Sequence, residues 1–430
     1  LNPFLDLLRG NRNYRYTWLG QIVSEIGDHF NSIAVLSLAL HLTNSKSAVG
    51  AVMIARVLPA ILAGPVAGIV LDRMDRRRVM LASDIFRGLI ALAHILLLTW
   101  RETWLLYVLS GLLTFASPFF NAGRSAILPR IVSREQLHTA NALTQTSSWF
   151  TVALGTLFGG LSAATLGYRW AFLFNALSFA VSTFAIWSLR APAGHFLPQA
   201  ASGAAAKESS WQQFREGLAY MRREPLVLGI SLLAVGWATG GGAAQILFTL
   251  FGETVFQMGP AGTGYLWGSA GFGLVAGGLF AHRAHKLMRF QTYKRTVTIS
   301  FLLHGLAYAA FSIMGTVWMA MFWIFVSRAA VAVNSVLSRT MLLTHVPDSF
   351  RGRVFTTHET MNNATMLLSM ALCSVAVAVY SPRQIGVVAG LLSASTGLFW
   401  MWADATGKLR EPALDLREPE IEPEPRITAA

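Results

Sequence analysis

One cysteine, Cys373, stands in a chain of 430 residues, which excludes a disulfide framework and any metal site built on thiolates. Charge is also scarce. Asp, Glu, Lys and Arg make up 13% of the chain against 54% hydrophobic residues, too little polar surface for a soluble protein of two or three domains. No phosphate-binding loop of the ATPase type is present, so ATP is not expected as the direct energy source. His358-Glu359-Thr-Met-Asn362 fails as a zinc-protease helix because asparagine stands where the second histidine ligand is needed. Gly271-Phe-Gly273 lies inside an apolar stretch with no strand before it, which excludes a dinucleotide loop. No catalytic residue, metal or cofactor is expected, and enzyme readings fail.

What the chain does have is long apolar runs, with a mean hydropathy of +0.49. A bilayer core about 30 Å thick needs roughly 20 apolar residues per helical crossing, and windows of about 19 residues give about twelve such spans. In the first half they run Tyr16 to Leu42, Val49 to Leu71, Val79 to Trp100, Trp104 to Ala126, Thr139 to Leu166 and Trp170 to Leu189. In the second they run Leu226 to Phe251, Gly262 to Ala281, Thr296 to Gly315, Val317 to Leu337, Val354 to Tyr380 and Gln384 to Ala405. The first run is longer than a signal-peptide core and lacks a plausible cleavage site, so it is expected to be the first helix of the mature protein.

The net charge of +13 follows topology rather than nucleic-acid binding. About twenty basic residues, among them Arg73, Arg76, Arg77, Arg78, Arg130, Arg134, Arg222, Arg223, Arg283, Lys286, Arg351 and Arg353, fall in alternate loops, against about four (Lys46, Arg101, Arg169, Arg383) in the opposite set. By the positive-inside rule the basic loops and both termini face the cytoplasm. Residues 1–190 then form one six-helix bundle and 226–406 a second. Between them, 191–225 reads as a cytoplasmic linker, with small residues around Ala200 to Ala206 and an amphipathic helix carrying Trp211, Phe214, Leu218 and Met221. The tail 407–430, with Glu418-Pro-Glu-Ile-Glu-Pro-Glu-Pro, is expected to be disordered. Weak internal repeats pair Gly68 and Asp72-Arg73 with Gly278 and His282-Arg283, and Arg124 with Arg339, at an offset of about 210 to 215 residues.

The end of the second span, Gly64-Pro-Val-Ala-Gly68-Ile-Val-Leu-Asp72-Arg73-Met-Asp75-Arg76-Arg77-Arg78, resembles the loop between the second and third helices of major facilitator superfamily transporters, with Asp75 where the family usually has glycine. Gly155-Thr-Leu-Phe-Gly159-Gly160 resembles that family's exporter motif with Thr156 in place of proline, and small residues there let helices approach and pivot. Gly20-Gln-Ile-Val-Ser-Glu-Ile-Gly27-Asp28, and Arg124 to Pro129 with Ala140-Asn141-Ala142, resemble the bacterial efflux branch that contains macrolide exporters and the enterobactin exporter; lysophospholipid transporters share part of this look. The resemblance implies an all-α integral membrane fold of two six-helix bundles. It also implies a monomeric transporter among membrane lipid that exports an amphipathic small molecule, a drug or siderophore, in exchange for protons. Lysophospholipid transport is the alternative within transport, and a non-transporting sensor or scaffold the alternative outside it.

Several residues are singled out by chemistry. Asp28 lies about 12 residues into an apolar helix, near the bilayer centre at a rise of about 1.5 Å per residue, where an ionisable group is a functional candidate by default. Glu25, three residues earlier, shares its face and is expected to join it in a proton-coupling pair, with Arg56 of the second span as counter-charge. Arg328 in the tenth span is a second buried cation, and Asp84 and Arg87 are placed to pair within the third. By resemblance, Gly68, Asp72, Arg73, Arg76 and Arg77 form a cytoplasmic gate reaching the start of the eleventh span near Arg353 to Glu359. Gly155, Gly159 and Gly160 are read as helix-packing positions. Gln21, Asn31, Gln145, Trp149, Trp237, Gln245, Asn334, Met361 and Asn362 are candidates to line a substrate cavity. His94 and His304 are expected to be satisfied interhelical residues rather than proton shuttles.

Overall fold

The structure is a computed structural model that describes residues 3–192, 194–198, 210–284 and 289–411. The small-residue run at 200–206, Lys286 and the tail beyond 411 lie outside the described residues. Among the described residues the fold is all-helical, with no strand. A short α1 (Pro3–Gly10) leads into α2 (Arg12–Thr43), α3 (Lys46–Leu71) and α4 (Arg76–Ala93), which continues through a 3₁₀ turn into α5 (Leu97–Trp100). Then come α6 (Thr103–Ile131), α7 (Leu137–Thr165), α8 (Tyr168–Trp187) and α9 (Ser210–Arg223). The second half holds α10 (Pro225–Leu250), α11 (Gly259–Ala284), α12 (Phe290–Ile313), α13 (Val317–His345), α14 (Asp348–Ala376) and α15 (Pro382–Ala405). A long helix underlies each run expected from the sequence.

Local chemistry sets the ends. Asn11 caps α2, its side chain accepting from Tyr14 N at 2.9 Å, and its amide donates to Ile131 O at 2.6 Å, which ties α2 to α6. Asp75, which stands where the resembled motif has glycine, caps α4 by accepting from Arg78 N at 3.0 Å. Ser381 and Gln384 form a capping box on α15. Pro59 and Pro65 in α3 and Pro118 and Pro129 in α6 sit inside helices, which packing against neighbouring helices tolerates.

Among the described residues, eight helices are long and apolar enough to cross a membrane: α3, α4 with α5, α6, α8, α10, α12, α13 and α15. The other four long helices are α2, α7, α11 and α14, and each packs against helices of the opposite half, α7 on α11 most extensively and α14 on α3. A helix that faces protein rather than lipid needs less hydrophobicity, which explains why these four carry Glu25, Asp28, Asn31, Gln145, Asn362 and the glycines of α11. At the α7/α11 seam the backbones come close. A Cβ on Gly160 would stand 2.6 Å from Pro260 O, and one on Gly271 would stand 2.5 Å from Ala153 Cα.

The apolar core is unevenly shared between the halves. At the Lys46 end one cluster crosses them, joining Ala34, Leu36 and Leu38 of α2 and Val49 and Val52 of α3 to Ile246 and Leu247 of α10 and Met370 and Cys373 of α14. At the Asp72 end there are two separate clusters, one with Leu7, Tyr14, Met80 and Ile131, the other with Met221, Leu226, Tyr293 and Val354. Helix α9 belongs to the second. Met221 is fully buried, Thr357 Oγ1 donates to Phe214 O at 3.2 Å, and Glu216 pairs with Arg353 at 3.0 Å.

Gly271→Ala is expected to destabilise the protein by about 1–3 kcal/mol through overpacking at the seam. Gly68→Ala, whose Cβ would meet nothing within 4 Å, is expected to leave thermal unfolding in detergent unchanged or slightly raised. Equal melting temperatures for the two variants would contradict the packing account.

Candidate transport site

The buried charges of the first half meet on three helices. Arg87 of α4 pairs with Asp84 one turn earlier, and Ser182 of α8 donates to the other Asp84 oxygen at 2.6 Å. The Arg87 guanidinium also lies 4.4 Å from the Phe179 ring centroid and 5.0 Å from that of Phe120, so its face is covered by π density while its edge meets carboxylate. Asp28 of α2 approaches Arg87 at 3.8 Å. The side chains of Asp84 and Arg87 are 0% and 4% exposed, whereas that of Asp28 is 33% exposed. Asp28 is thus the loosely held, accessible member of a group in which one guanidinium serves two carboxylates.

The expected partner of Asp28 was Arg56, and the geometry differs. Arg87 takes the ion-pair position, while Arg56 lies within electrostatic reach of Asp28 and its Nη1 is buried without a hydrogen-bond partner among the described residues. Glu25 also goes elsewhere. Its Oε1 accepts from Gln21 Nε2 at 2.7 Å and Ser148 Oγ at 3.0 Å, and its Oε2 accepts from Thr151 Oγ1 at 2.7 Å. Arg124 of α6 then donates to Gln21 Oε1 at 2.6 Å. Two residues three apart on a helix diverge by about 60°, enough here to turn Glu25 toward α7 and Asp28 toward α4.

At the Asp72 end, Asp72 is the C-cap of α3, its N–H donating to Gly68 O at 3.0 Å. Arg76 donates to Ala126 O at 3.1 Å, and Arg77 reaches the last carbonyls of α8 at Ile186 and Trp187. Both arginines therefore staple helices of the first half, and Arg77 satisfies C-terminal carbonyls of α8. Arg73 is exposed beside them. Gly155 and Gly159 lie against His29 and Phe30 of α2, and Gly160 against Gly264 of α11, so the glycine motif occupies the crossing of three helices.

A cavity of about 220 Å³ opens among α10, α12, α13 and α14. Of the expected lining residues it gathers Trp237, Asn334 and Asn362, together with His304, Arg339 and His358. Trp237 Nε1 and Asn362 Oδ1 are buried there without hydrogen-bond partners, which leaves one donor and one acceptor for a ligand or water. The other expected lining residues are dispersed. Gln21 is consumed by the Glu25 network, Asn31 is buried with both amide atoms unpartnered, Gln145 is exposed, Trp149 packs on Gly278, and Gln245 and Met361 are half-buried outside this cavity. His304 Nδ1 is bonded to Ser327 Oγ of the neighbouring helix at 2.7 Å, whereas His94 Nδ1 meets Ile90 O of its own helix at 2.8 Å and its Nε2 is buried without a partner among the described residues. Arg328 is 7% exposed, and its guanidinium lies 5.2 Å from the Phe248 ring centroid. Gly271 and Gly273 are packing positions inside α11. Arg124, Ser148 and Thr151 were not legible as site residues, because their role depends on helix neighbours more than 100 positions away.

Comparison with known proteins bears on the family and the fold. The profile described as Major Facilitator Superfamily matches residues 17–293. An uncharacterised MFS-type transporter, YfiS of Bacillus subtilis (strain 168), is 26% identical over 375 residues, covering 85% of this chain and 87% of the relative. The enterobactin exporter EntS of Escherichia coli O1:K1 / APEC is 29% identical over 363 residues, 81% of this chain and 82% of the relative. Among solved structures, a bacterial homologue of the iron transporter ferroportin in an inward-facing state is similar with a TM-score of 0.65 at 17% identity, over 90% of this chain and 98% of its own. A mutant of the nucleoside transporter NupG gives a TM-score of 0.70 at 12% identity, over 90% and 99%. With the family profile matching more than half its length, the chain belongs to the Major Facilitator Superfamily, and it is a multi-pass membrane transporter rather than an enzyme.

Proposed function

We propose that the protein exports an amphipathic small molecule in exchange for protons, by alternating access between two six-helix bundles, residues 1–190 and 226–406, joined by the cytoplasmic linker 191–225. All twelve long helices cross the bacterial inner membrane in this reading, the polar α2, α7, α11 and α14 doing so inside the protein seam. The termini and the Asp72 end face the cytoplasm, as the clustering of basic residues in that set of loops supports. An apolar core shared at the Lys46 end and divided at the Asp72 end is what a transporter closed outward and parted inward requires.

The observation that carries proton coupling is the Asp28, Arg87 and Asp84 cluster. When Asp28 takes a proton, Arg87 keeps Asp84 and no guanidinium is left unpaired in the membrane. When Asp28 releases it, Arg87 and the nearby Arg56 compensate the new charge. Asp28 is the accessible member of the cluster, so it exchanges the proton. The Glu25 and Arg124 network is a second polar group through which α2 is tied to α6 and α7. Substrate lies in the cavity around Trp237, Asn334 and Asn362, whose size suits one ring or head group of a larger molecule; whole drug-sized ligands need about 300 Å³ or more. Export rather than uptake is favoured by the Gly155 to Gly160 motif and by the relatives named as enterobactin exporters. Asp72, with Arg73, Arg76 and Arg77, is the cytoplasmic gate.

In everted vesicles energised by respiration, one class among macrolides, dyes, catechol siderophores and lysolipids is expected to collapse the pH gradient with the wild-type protein and not with Asp28→Asn. A gradient unaffected by the whole panel, with expression verified, would reject proton-coupled export. For orientation, Lys46→Cys in a Cys373→Ala background is expected to react with an impermeant maleimide from the outer side of intact cells. Labelling from the cytoplasmic side alone would reverse the topology.

A further inference from the structure

Away from the Asp28 cluster, one carboxylate bridges the two halves. Glu253 lies in a π-helical turn (Phe251–Val255) between α10 and α11, and its side chain is 3% exposed. Ser37 of α2 donates a short hydrogen bond to its Oε1, and His41 Nε2 of the same helix stands 3.5 Å from its Oε2. His41 is in turn held at Nδ1 by the Tyr168 hydroxyl of α8, 2.6 Å away. With Tyr168 donating to Nδ1, the proton on Nε2 faces the carboxylate. The imidazole is half exposed, at 51%, so the cluster sits at the outer rim with its carboxylate inside and its histidine outside. Ser374 Oγ of α14, which donates to Ser47 O of α3 at 3.1 Å, is a second bond between the halves at the same end of the molecule.

The turn holding Glu253 is stiff. Phe256 N donates to Phe251 O at 2.8 Å, Met258 N to Gly252 O at 3.0 Å, and Gln257 adopts a left-handed φ of 55°. Phe251 packs on Phe311 with ring centroids 4.5 Å apart. A π turn placed at a helix end commonly re-aims a functional side chain, and here it turns Glu253 from the second half into the first. The groups that face the carboxylate are few. Ser37 and His41 come from α2 and Tyr168 from α8, while from α11 the uncharged Gly259 comes near, an added Cβ there standing 3.9 Å from Oε2. Lys46, Arg101, Glu102 and Arg169, at the same end of the molecule, make no ion pair with it among the described residues.

We infer that Glu253 is a second proton-binding site, reached from the outside, whose ionised carboxylate latches the outer gate through Ser37 and His41 and whose protonation releases it. The inference rests on the alternating-access reading above. With Glu253 ionised, a protonated His41 tightens the latch. Once the carboxylate takes a proton, its attraction for His41 and its strength as an acceptor from Ser37 both fall, and the two halves part at this end. The proton enters from the side to which His41 is exposed.

The test uses the full chain in liposomes, with Cys373→Ala and Ser374→Cys reporting opening of the seam by its reaction rate with an impermeant maleimide added outside. Wild-type background is expected to label slowly at neutral pH and faster as the outside is acidified. Glu253→Gln should label about tenfold faster at neutral pH, in line with loss of a charge-assisted bond, and should lose the acid response. Glu253→Asp should keep that response. Should Glu253→Gln fail to purify as a folded species, Ser37→Ala is read instead and is expected to raise the neutral rate. A rate unmoved by Glu253→Gln, or by Ser37→Ala in its place, overturns the latch. Labelling needs neither substrate nor proton flux, so a failed antiport assay with a working latch would remove the Asp28 reading alone. Antiport with an unmoved label would remove the latch alone.

Discussion

A charge held inside a bilayer has to be neutralised where it sits, and the packing around α2 follows from that constraint. Arg87 cannot stand alone on α4, so Asp84 pairs with it, Ser182 satisfies the second Asp84 oxygen, and Phe120 and Phe179 cover the guanidinium faces. Those contacts fix α4 against α6 and α8. Asp28 is then set 3.8 Å from a cation that is already compensated. A carboxylate in that position is free to change protonation without stranding its neighbour. The proposed coupling role depends on this surplus more than on burial itself.

The second half is built differently. Arg328 rests over the rings of Phe248 and Tyr308, the buried Lys294 pairs with Asp404, and a cavity gathers Trp237, Asn334 and Asn362. In the proposed account Asp28 lies in one bundle and the cavity in the other, with Glu253 of the second bundle adding a proton site where the two meet. Along the α7/α11 seam glycines let the backbones approach closely, with Trp149 of α7 packed on Gly278 and Leu157 on Gly268. The two ends of the molecule differ in the way the proposed mechanism needs, with a common apolar core at one and a divided core at the other.

Much of this was legible in the sequence for a plain physical reason. A lipid-facing helix must be apolar along its whole length, so α3, α8 and α15 announce themselves within a few residues of their ends, and Glu25 and Asp28 stand out in the otherwise long apolar run of α2. The Asp84 and Arg87 pair was readable because both residues lie on one helix, a single turn apart. What hydropathy could not give was the choice of partners between helices. Arg56 and Arg87 are equally cationic, and only the packing of both α2 and α4 on α8 decides which meets Asp28. The hydrogen-bond partners of Glu25 were hidden for the same reason, since Ser148 and Thr151 are ordinary polar residues until α7 lies beside α2. Asp75 looked like a flaw in a motif and is a helix cap. Glu253 was invisible because a π turn breaks the helical period, and its partner Ser37 is 216 positions away.

The most direct test of the central claim is infrared difference spectroscopy on the purified protein during mild acidification, comparing wild type with Asp28→Asn. The account predicts a carboxyl stretching band that grows in as the carboxylate signal falls, and that is missing from Asp28→Asn while the rest of the difference spectrum persists. An identical band in both proteins would mean that Asp28 does not carry the proton, and would contradict the account.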